Sequence, residues 1–376
     1  MMMRLLKIIE HFIRRKISNS NKAFHGHFIH NINDAIPLAP DCKIAILRID
    51  KFGDMIVTLP IIREIRKKFP NATIDIILGK SNKSLTSNAL MYANSVLYYD
   101  KTLFGLIKLL YRLRKSKYDI CIDPLDNPSI TSGNICYLSN AMTTVGLYKS
   151  NARKYTHCII PKDRMQVHIV ERTAQVLLAV GIDPEVTTLD CEFPLESSII
   201  EQTINILRDT IDLHKPVIAV NTTGSVSSRT MSEHFALKLY EELIVKAQML
   251  NAQVLFFGPE SEKEKLQSIQ KSTGCLIAPF SHSFNEYAAM LKCASLIISP
   301  DTSAVHLAAS WKRPIICLFC NDNTGTALWT PYKTLHEAVI SSTYSINDIE
   351  ISNIIDSINN ICTKTPLLSA EELLHS

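Results

Sequence analysis

From residue 43 onward, short apolar runs alternate with amphipathic stretches, and the alternation occurs twice. Runs such as KIAILR and VIAV are too short for a buried helix and too uniformly apolar for a strand with one wet face. They suit strands of a parallel sheet covered by helices on both sides. In the first series the pattern predicts strands at 43–50, 73–79, 95–100, 119–123 and 143–148. It places helices at 55–69, 103–113 and 166–180, the last closed by Gly181. In the second series strands fall at 216–221, 252–257, 276–279, 295–298 and 314–319, the last strand of the chain. The intervening helices are 198–212, 232–250 (capped by Ser232), 260–273 and 284–291. Two such series imply an α/β chain with two doubly wound sheets facing a cleft. Residues 187–197 break the rhythm and read as the interdomain connection. The expected division is 1–40 (amphipathic helix, then a polar linker or loop over 19–40), 41–190, 191–345, and 346–376 (a closing helix at 353–362 and a frayed tail).

Composition narrows the function classes. With 376 residues, 46% hydrophobic and 20% charged, the chain has material for two globular domains and is not disordered. A net charge of +4 is too mild to argue for nucleic acid. The ten cysteines lie mostly inside apolar runs. Cys317-x-x-Cys320 lacks a second pair or matched histidines, so reduced buried thiols of a cytoplasmic protein are expected. No apolar run reaches the roughly eighteen residues of a membrane span, and charges interrupt the N-terminal apolar stretches, unlike a signal peptide. Within 1–17, Leu5, Ile8, Ile9, Phe12 and Ile13 share one helical face, with Arg4, Lys7, Arg14 and Arg15 mainly opposite and Lys16 intruding. Such a helix can rest in an anionic membrane interface or dock on the protein itself.

Two strand-to-helix turns carry candidate chemistry. In Ser295–Ala309 an apolar run stops at Ser299-Pro300, and Asp301-Thr302-Ser303 precedes a helical stretch. Asp301 or Thr302 is the expected N-cap. The free amides and positive dipole end of such a start favour a phosphate, with His306 near enough to point at the same place. In the first series, Lys51-Phe52-Gly53-Asp54 forms a turn in which Gly53 permits close backbone approach or positive φ. Asp54 then sits at the carboxyl end of the sheet, where α/β proteins bind ligands. Neither series carries G-x-G-x-x-G after its first strand, which argues against a dinucleotide oxidoreductase.

Several segments together resemble glycosyltransferase family 9, the heptosyltransferases of lipopolysaccharide core assembly. Ile46-Leu47-Arg48-Ile49-Asp50-Lys51-Phe52-Gly53-Asp54-Met55-Ile56-Val57-Thr58-Leu59-Pro60 is similar to the family's N-terminal signature, and Phe69-Pro70-Asn71-Ala72 with Ile74-Asp75-Ile76-Ile77 to its continuation. His168–Arg172 with Gly181-Ile182 resembles the mid-chain pattern. Asp301–Ala309 resembles the donor-site signature, and Trp329-Thr330-Pro331-Tyr332 a closing element. The resemblance implies a GT-B fold of two Rossmann-like domains, the first taking the acceptor and the second a nucleotide sugar, usually ADP-heptose. It implies an inverting reaction that needs no metal or cofactor. Its acceptor is a lipid-linked glycan at the cytoplasmic face of the inner membrane, where peripheral contact is expected.

Carried over by motif, Asp54 is the general base. Asp301 contacts the donor sugar, and the amides of Thr302, Ser303 and Ala304 the diphosphate, with His306 alongside. Arg229 is the nearest match to a phosphate-binding cation, although a shift of one residue puts Ser228 there. It ends a polar loop, 222–229, in which Thr223 and Gly224 support the site. Glu262 resembles the carboxylate that holds the ribose, with Glu260 as the alternative. Two positions depart from the family pattern: Ser303 and Cys320 stand where glycines are usual. A nucleotide-sugar epimerase on the same fold and a non-catalytic scaffold are the rival readings. The first would need a second sugar-facing carboxylate pair, and the second would be signalled by loss of Asp54 or His306; neither feature is in the sequence.

Overall fold

The computed structural model describes residues 24–321 and 326–375. The amphipathic segment 1–17 lies outside the described residues. The chain divides into two compact units, with the boundary between Leu189 and Asp190.

Among the described residues, the first unit is built on a seven-stranded sheet. Its strands are β1 (His27–Ile29), β2 (Lys43–Arg48), β3 (Thr73–Gly79), β4 (Ser95–Tyr99), β5 (Ile120–Asp123), β6 (Thr143–Leu147) and β7 (His157–Ile159), in the order β1-β7-β6-β5-β2-β3-β4. The α-helices of this unit are α1 (Phe52–Ile56), α2 (Leu59–Lys68), α3 (Thr86–Leu90), α4 (Leu103–Ser116), α5 (Ile130–Leu138) and α6 (Ile169–Ala174). The second unit carries a six-stranded sheet of β8 (Val217–Asn221), β9 (Gln253–Phe257), β10 (Leu276–Ile277), β11 (Leu296–Pro300), β12 (Ile315–Phe319) and β13 (His336–Ile340), in the order β10-β9-β8-β11-β12-β13. Its α-helices are α7 (Ser197–Arg208), α8 (Glu233–Met249), α9 (Lys263–Thr273), α10 (Phe284–Lys292), α11 (Ser303–Ser310), α12 (Ile351–Lys364) and α13 (Ala370–Leu374). Every strand pair is parallel.

The apolar runs end up where their composition requires. Ile44 to Leu47 of β2 and Val217 to Val220 of β8 are fully buried. Leu109 and Leu113 of α4 and Ile135 and Cys136 of α5 close one face of the first sheet. Phe235, Leu239 and Leu243 of α8, with Ile354, Ile358 and Ile361 of α12, close one face of the second. Each buried aliphatic side chain of this kind contributes about 1.5–3 kcal/mol.

The topology fixes where ligands can bind. From β2 the first sheet grows to β3 and β4, then resumes on the other side with β5. From β8 the second grows to β9 and β10, then resumes with β11. The strand order therefore reverses between β2 and β5, and again between β8 and β11. Parallel α/β sheets open a crevice outside the carboxyl ends of the strands at such points.

The structure corrects several sequence expectations. The helix expected at 55–69 is two helices. Pro60 lacks the N–H that would bond to Ile56, so α1 ends and α2 starts afresh. Gly53 is consequently a residue of α1's first turn and not part of an open turn. The helix expected at 166–180 begins only after His168 caps it, and tightens into 3₁₀ turns over Gln175–Val180 before Gly181 closes it at φ 69°. Within 19–40, His27–Ile29 is a strand paired with β7 and so belongs to the first sheet. Only Ile29 of its three residues is buried, so the segment has no strand-like hydrophobic pattern. The last strand is β13, not 314–319; of its residues only Val339 is buried. The tail is not frayed: Ser369 and Glu372 form a capping box, and Ala370, Leu373 and Leu374 are buried.

A charged residue inside a central strand needs partners. The carboxylate of Asp75 in β3 accepts from the Tyr118 hydroxyl at 2.5 Å and from Ser95 Oγ at 2.8 Å. Tyr118→Phe removes one of these donors without changing the volume. It should cost about 1–3 kcal/mol, read from urea unfolding midpoints; an unchanged midpoint would show that the network contributes nothing.

Candidate functional site

The second unit gathers most of the expected donor residues at the carboxyl edge of its sheet. Thr302 is the N-cap of α11, its hydroxyl accepting from Ala304 N at 3.3 Å, which decides between the two expected caps. Beneath it, the Asn221 side chain at the end of β8 donates to Ser299 Oγ at 3.0 Å, to Thr302 Oγ1 at 3.2 Å and to Thr223 O at 3.3 Å. One buried amide thus joins the two strands that flank the reversal of strand order. The sequence reading missed Asn221. Its signal was a polar residue ending an otherwise apolar strand, VIAVN.

The loop after β8 is folded on itself. Met231 N donates to Thr222 O at 2.8 Å, and Gly224 N to Thr230 Oγ1 at 3.2 Å. A Cβ on Gly224 would lie 2.3 Å from the Arg229 carbonyl oxygen, so this close approach admits only glycine. The loop carries Arg229 to Asp301, and Nη1 meets Oδ2 at 2.5 Å. Two residues expected to face the donor therefore face each other. The pair is only partly buried, and a charge-assisted contact of this kind is both short and geometrically selective. Glu262 lies at the turn after β9, where its carboxylate holds Lys265 at 2.5 Å, while Lys265 also donates to Met231 O. Glu260 is exposed.

His306 lies in α11 and is 3% exposed. Its ring meets Trp329 edge-to-face at 5.8 Å, and its Nδ1 has no hydrogen-bond partner among the described residues. Burial lowers its pKa to about 4, so the ring is neutral near pH 7. It can offer a hydrogen bond there but not a positive charge.

In the first unit, Asp54 falls in α1, its carboxylate accepting from Lys51 N at 3.3 Å. Behind it lies Arg48, 1% exposed, whose Nε donates to Asp54 O at 2.8 Å and Thr58 Oγ1 at 2.6 Å. Arg48 Nη1 donates to Asp50 Oδ2 at 3.0 Å, and Asp50 Oδ1 is buried with no partner among the described residues. Burial pushes the Asp50 carboxyl up to about 7 against the pull of Arg48, with Asp54 and Asp123 adding to the rise. Asp123 ends β5 on the other side of the reversal, fully buried. It accepts from the Tyr155 hydroxyl at 2.5 Å and lies 3.6 Å from Lys149 Nζ. Asp50, Asp123 and Lys149 were not singled out from sequence, because isolated charges near strand ends look like ordinary loop residues.

Among the described residues no cysteine forms a disulfide, and all ten are buried apart from the half-buried Cys362. Among the described residues no three His, Cys, Asp or Glu side chains converge as metal ligands would, and no helix is long and apolar enough to cross a membrane.

Residues 106–374 match the model of glycosyltransferase family 9 (heptosyltransferase). The chain belongs to that family. It is therefore a glycosyltransferase, and the epimerase and scaffold readings give way. It is 24% identical over 298 residues to lipopolysaccharide heptosyltransferase 3 of Escherichia coli, covering 74% of this chain and 83% of that one. Among solved structures, a family 9 glycosyltransferase from Veillonella parvula superposes with a TM-score of 0.75 at 17% identity, covering 88% of this chain and all of the other. The E. coli heptosyltransferase WaaC with ADP-2-deoxy-2-fluoro heptose gives 0.66 at 16% identity, covering 85% and 99%. These likenesses show the GT-B fold.

Neutral burial of His306 has a consequence for this family 9 fold. The unfolded chain takes up a proton near pH 6.5, whereas the folded chain resists until about pH 4. Stability is therefore full above pH 6.5 and falls as the pH drops through that window, by up to about 3 kcal/mol. Thermal melts from pH 7 to pH 4 should show a smaller acid loss in His306→Asn than in the parent; equal losses would mean that His306 is not the group responsible.

Proposed function

We propose that this family 9 protein is an inverting glycosyltransferase. It moves a heptose from ADP-heptose to a lipopolysaccharide core or a related lipid-linked glycan at the cytoplasmic face of the inner membrane. The observation that carries the reading is the meeting of Arg229, Asp301 and the amide end of α11 at one edge of the second sheet, in a chain whose family transfers sugars. The ADP-heptose analogue named with WaaC and the acceptor class named for the E. coli relative supply the substrates.

The chemistry sets what each group must do. An acceptor hydroxyl attacks the anomeric carbon, the bond from that carbon to the diphosphate oxygen breaks, and ADP leaves with the bonding pair. A sugar hydroxyl is a weak nucleophile, so a carboxylate must take its proton as the new bond forms. In this reading Asp54 is that base. Negative charge grows on the departing diphosphate, and pre-oriented donors are its natural counterweight without a metal. Arg229 and the amides of Thr302, Ser303 and Ala304 fill that role, with His306 as a neutral hydrogen-bond partner. Arg229 leaves Asp301 for the diphosphate when the donor arrives, which frees the Asp301 carboxylate to accept from sugar hydroxyls. Glu262 takes the ribose hydroxyls.

Asp54→Asn should lower the transfer rate by about 10²–10⁴ while ADP binding is nearly unchanged. Release of ADP in the presence of acceptor is the assay, and near-normal turnover would remove Asp54 from the role of base.

Arg229→Ala should weaken ADP binding by about 1.5–3 kcal/mol, the scale of hydrogen bonds to a charged group. Arg229→Lys should recover part of that, since it keeps the charge and loses the planar fork. Calorimetric titration with and without EDTA checks both points. A requirement for a divalent ion, or indifference to Arg229→Ala, would place the diphosphate elsewhere.

A further inference from the structure

Helix α4 has two apolar stripes, and among the described residues only one of them is packed against the protein. Gly105, Leu109 and Leu113, four residues apart, are buried against the first sheet. Leu103, Ile107 and Tyr111 repeat the same spacing on another side of the helix and stand in solvent, 63%, 57% and 66% exposed, with Phe104 beside them at 76%. Scattered exposed apolar side chains are ordinary, but a contiguous stripe marks a contact surface.

The charge around the stripe is of one sign. From 101 to 118 the chain carries six basic residues and no acidic one. Lys108, Arg112 and Lys115 line the border of the stripe, all exposed. Arg114 is tied down, its Nε donating to Leu138 O. The flanking acids do not offset the rest: Asp100 is bound to Thr102, and Asp119 accepts from Lys43 N.

We propose that this face of α4 docks on an anionic lipid surface. The aromatic and aliphatic side chains enter the headgroup boundary, while the basic border meets acidic headgroups. Charge decides against the other occupants. The amphipathic segment 1–17 is itself cationic, and so is the same face of a second copy, so either would set like charges together. A nucleic acid would match the charge but not the aliphatic Leu103 and Ile107. The inference rests on the lipid-linked acceptor proposed above and names the surface that would bring the protein to its membrane.

The test is sedimentation of the full chain with vesicles of equimolar phosphatidylethanolamine and phosphatidylglycerol, against phosphatidylcholine alone. Binding should need the anionic lipid and weaken with salt. Both Phe104→Ser/Ile107→Ser/Tyr111→Ser and Lys108→Glu/Arg112→Glu should lower partitioning by about tenfold or more. Because these side chains are exposed, thermal melts and ADP binding of the variants should match the parent, which separates lost docking from lost folding. Deletion of residues 1–18 serves as a further arm. If binding disappears with that deletion and is untouched by either α4 variant, the α4 proposal fails while membrane contact stands. If the full chain binds neither vesicle, both fail. A dimer in light scattering that the α4 variants dissolve would assign the face to a second copy and overturn the proposal.

Discussion

A strand buried on both faces cannot end in a polar side chain unless the crossovers around it supply partners, and β2 and β8 of this protein both end that way. Arg48 closes β2 and finds the Asp54 carbonyl, the Thr58 hydroxyl and the Asp50 carboxylate. Asn221 closes β8 and finds Ser299, Thr302 and the Thr223 carbonyl. An unsatisfied buried guanidinium or amide costs several times what a typical hydrogen bond contributes. The loops that carry Asp54 and Asp301 are therefore held by the need to satisfy a donor below them. Backbone positions that looked like free turns in the sequence are fixed from inside the sheet.

The same accounting explains the charge state of the edge above Asn221. With Arg229 on Asp301 at 2.5 Å, neither ion is left alone in a half-buried place. A diphosphate carries more negative charge than one carboxylate and presents it to a planar, multidentate cation, so it competes well for the guanidinium. In the proposed reaction, the ligand-free site is an ion pair waiting to be exchanged and not an open cationic pocket. His306 adds a donor without adding charge, because burial keeps its ring neutral.

How much of this was legible beforehand follows from what each residue's signal depends on. Strands such as Thr73–Gly79 and the capped helix after Ser232 were readable because burial on both faces, or a local cap, leaves a local pattern. Edge strands β1 and β13 were not, since pairing on one side with few buried side chains leaves a polar sequence. Asp54, Asp301 and His306 were singled out through motif resemblance together with their place at strand ends. Asn221, Asp50 and the Asp123–Lys149 pair depend on partners far away in sequence, and no local pattern announces such contacts. The mutual pairing of Arg229 and Asp301 was invisible for the same reason: 72 residues separate them.

The two positions that depart from the family pattern bear on the same edge. Where glycine is usual in the donor signature, Ser303 is the first residue of α11 and lies outside the left-handed region, so its backbone makes no demand for glycine. A side chain there leaves the helix start and its amides as they would be with glycine. At the other position, the Cys320 thiol after β12 donates to the Ser228 carbonyl at 3.3 Å, one residue before Arg229. The hydrogen of a glycine could not make that contact. The thiol therefore ties the arginine loop to a third strand, in addition to the ties through Asn221 and Thr222. The departures leave the backbone at the start of α11 intact and tie down the loop that carries Arg229.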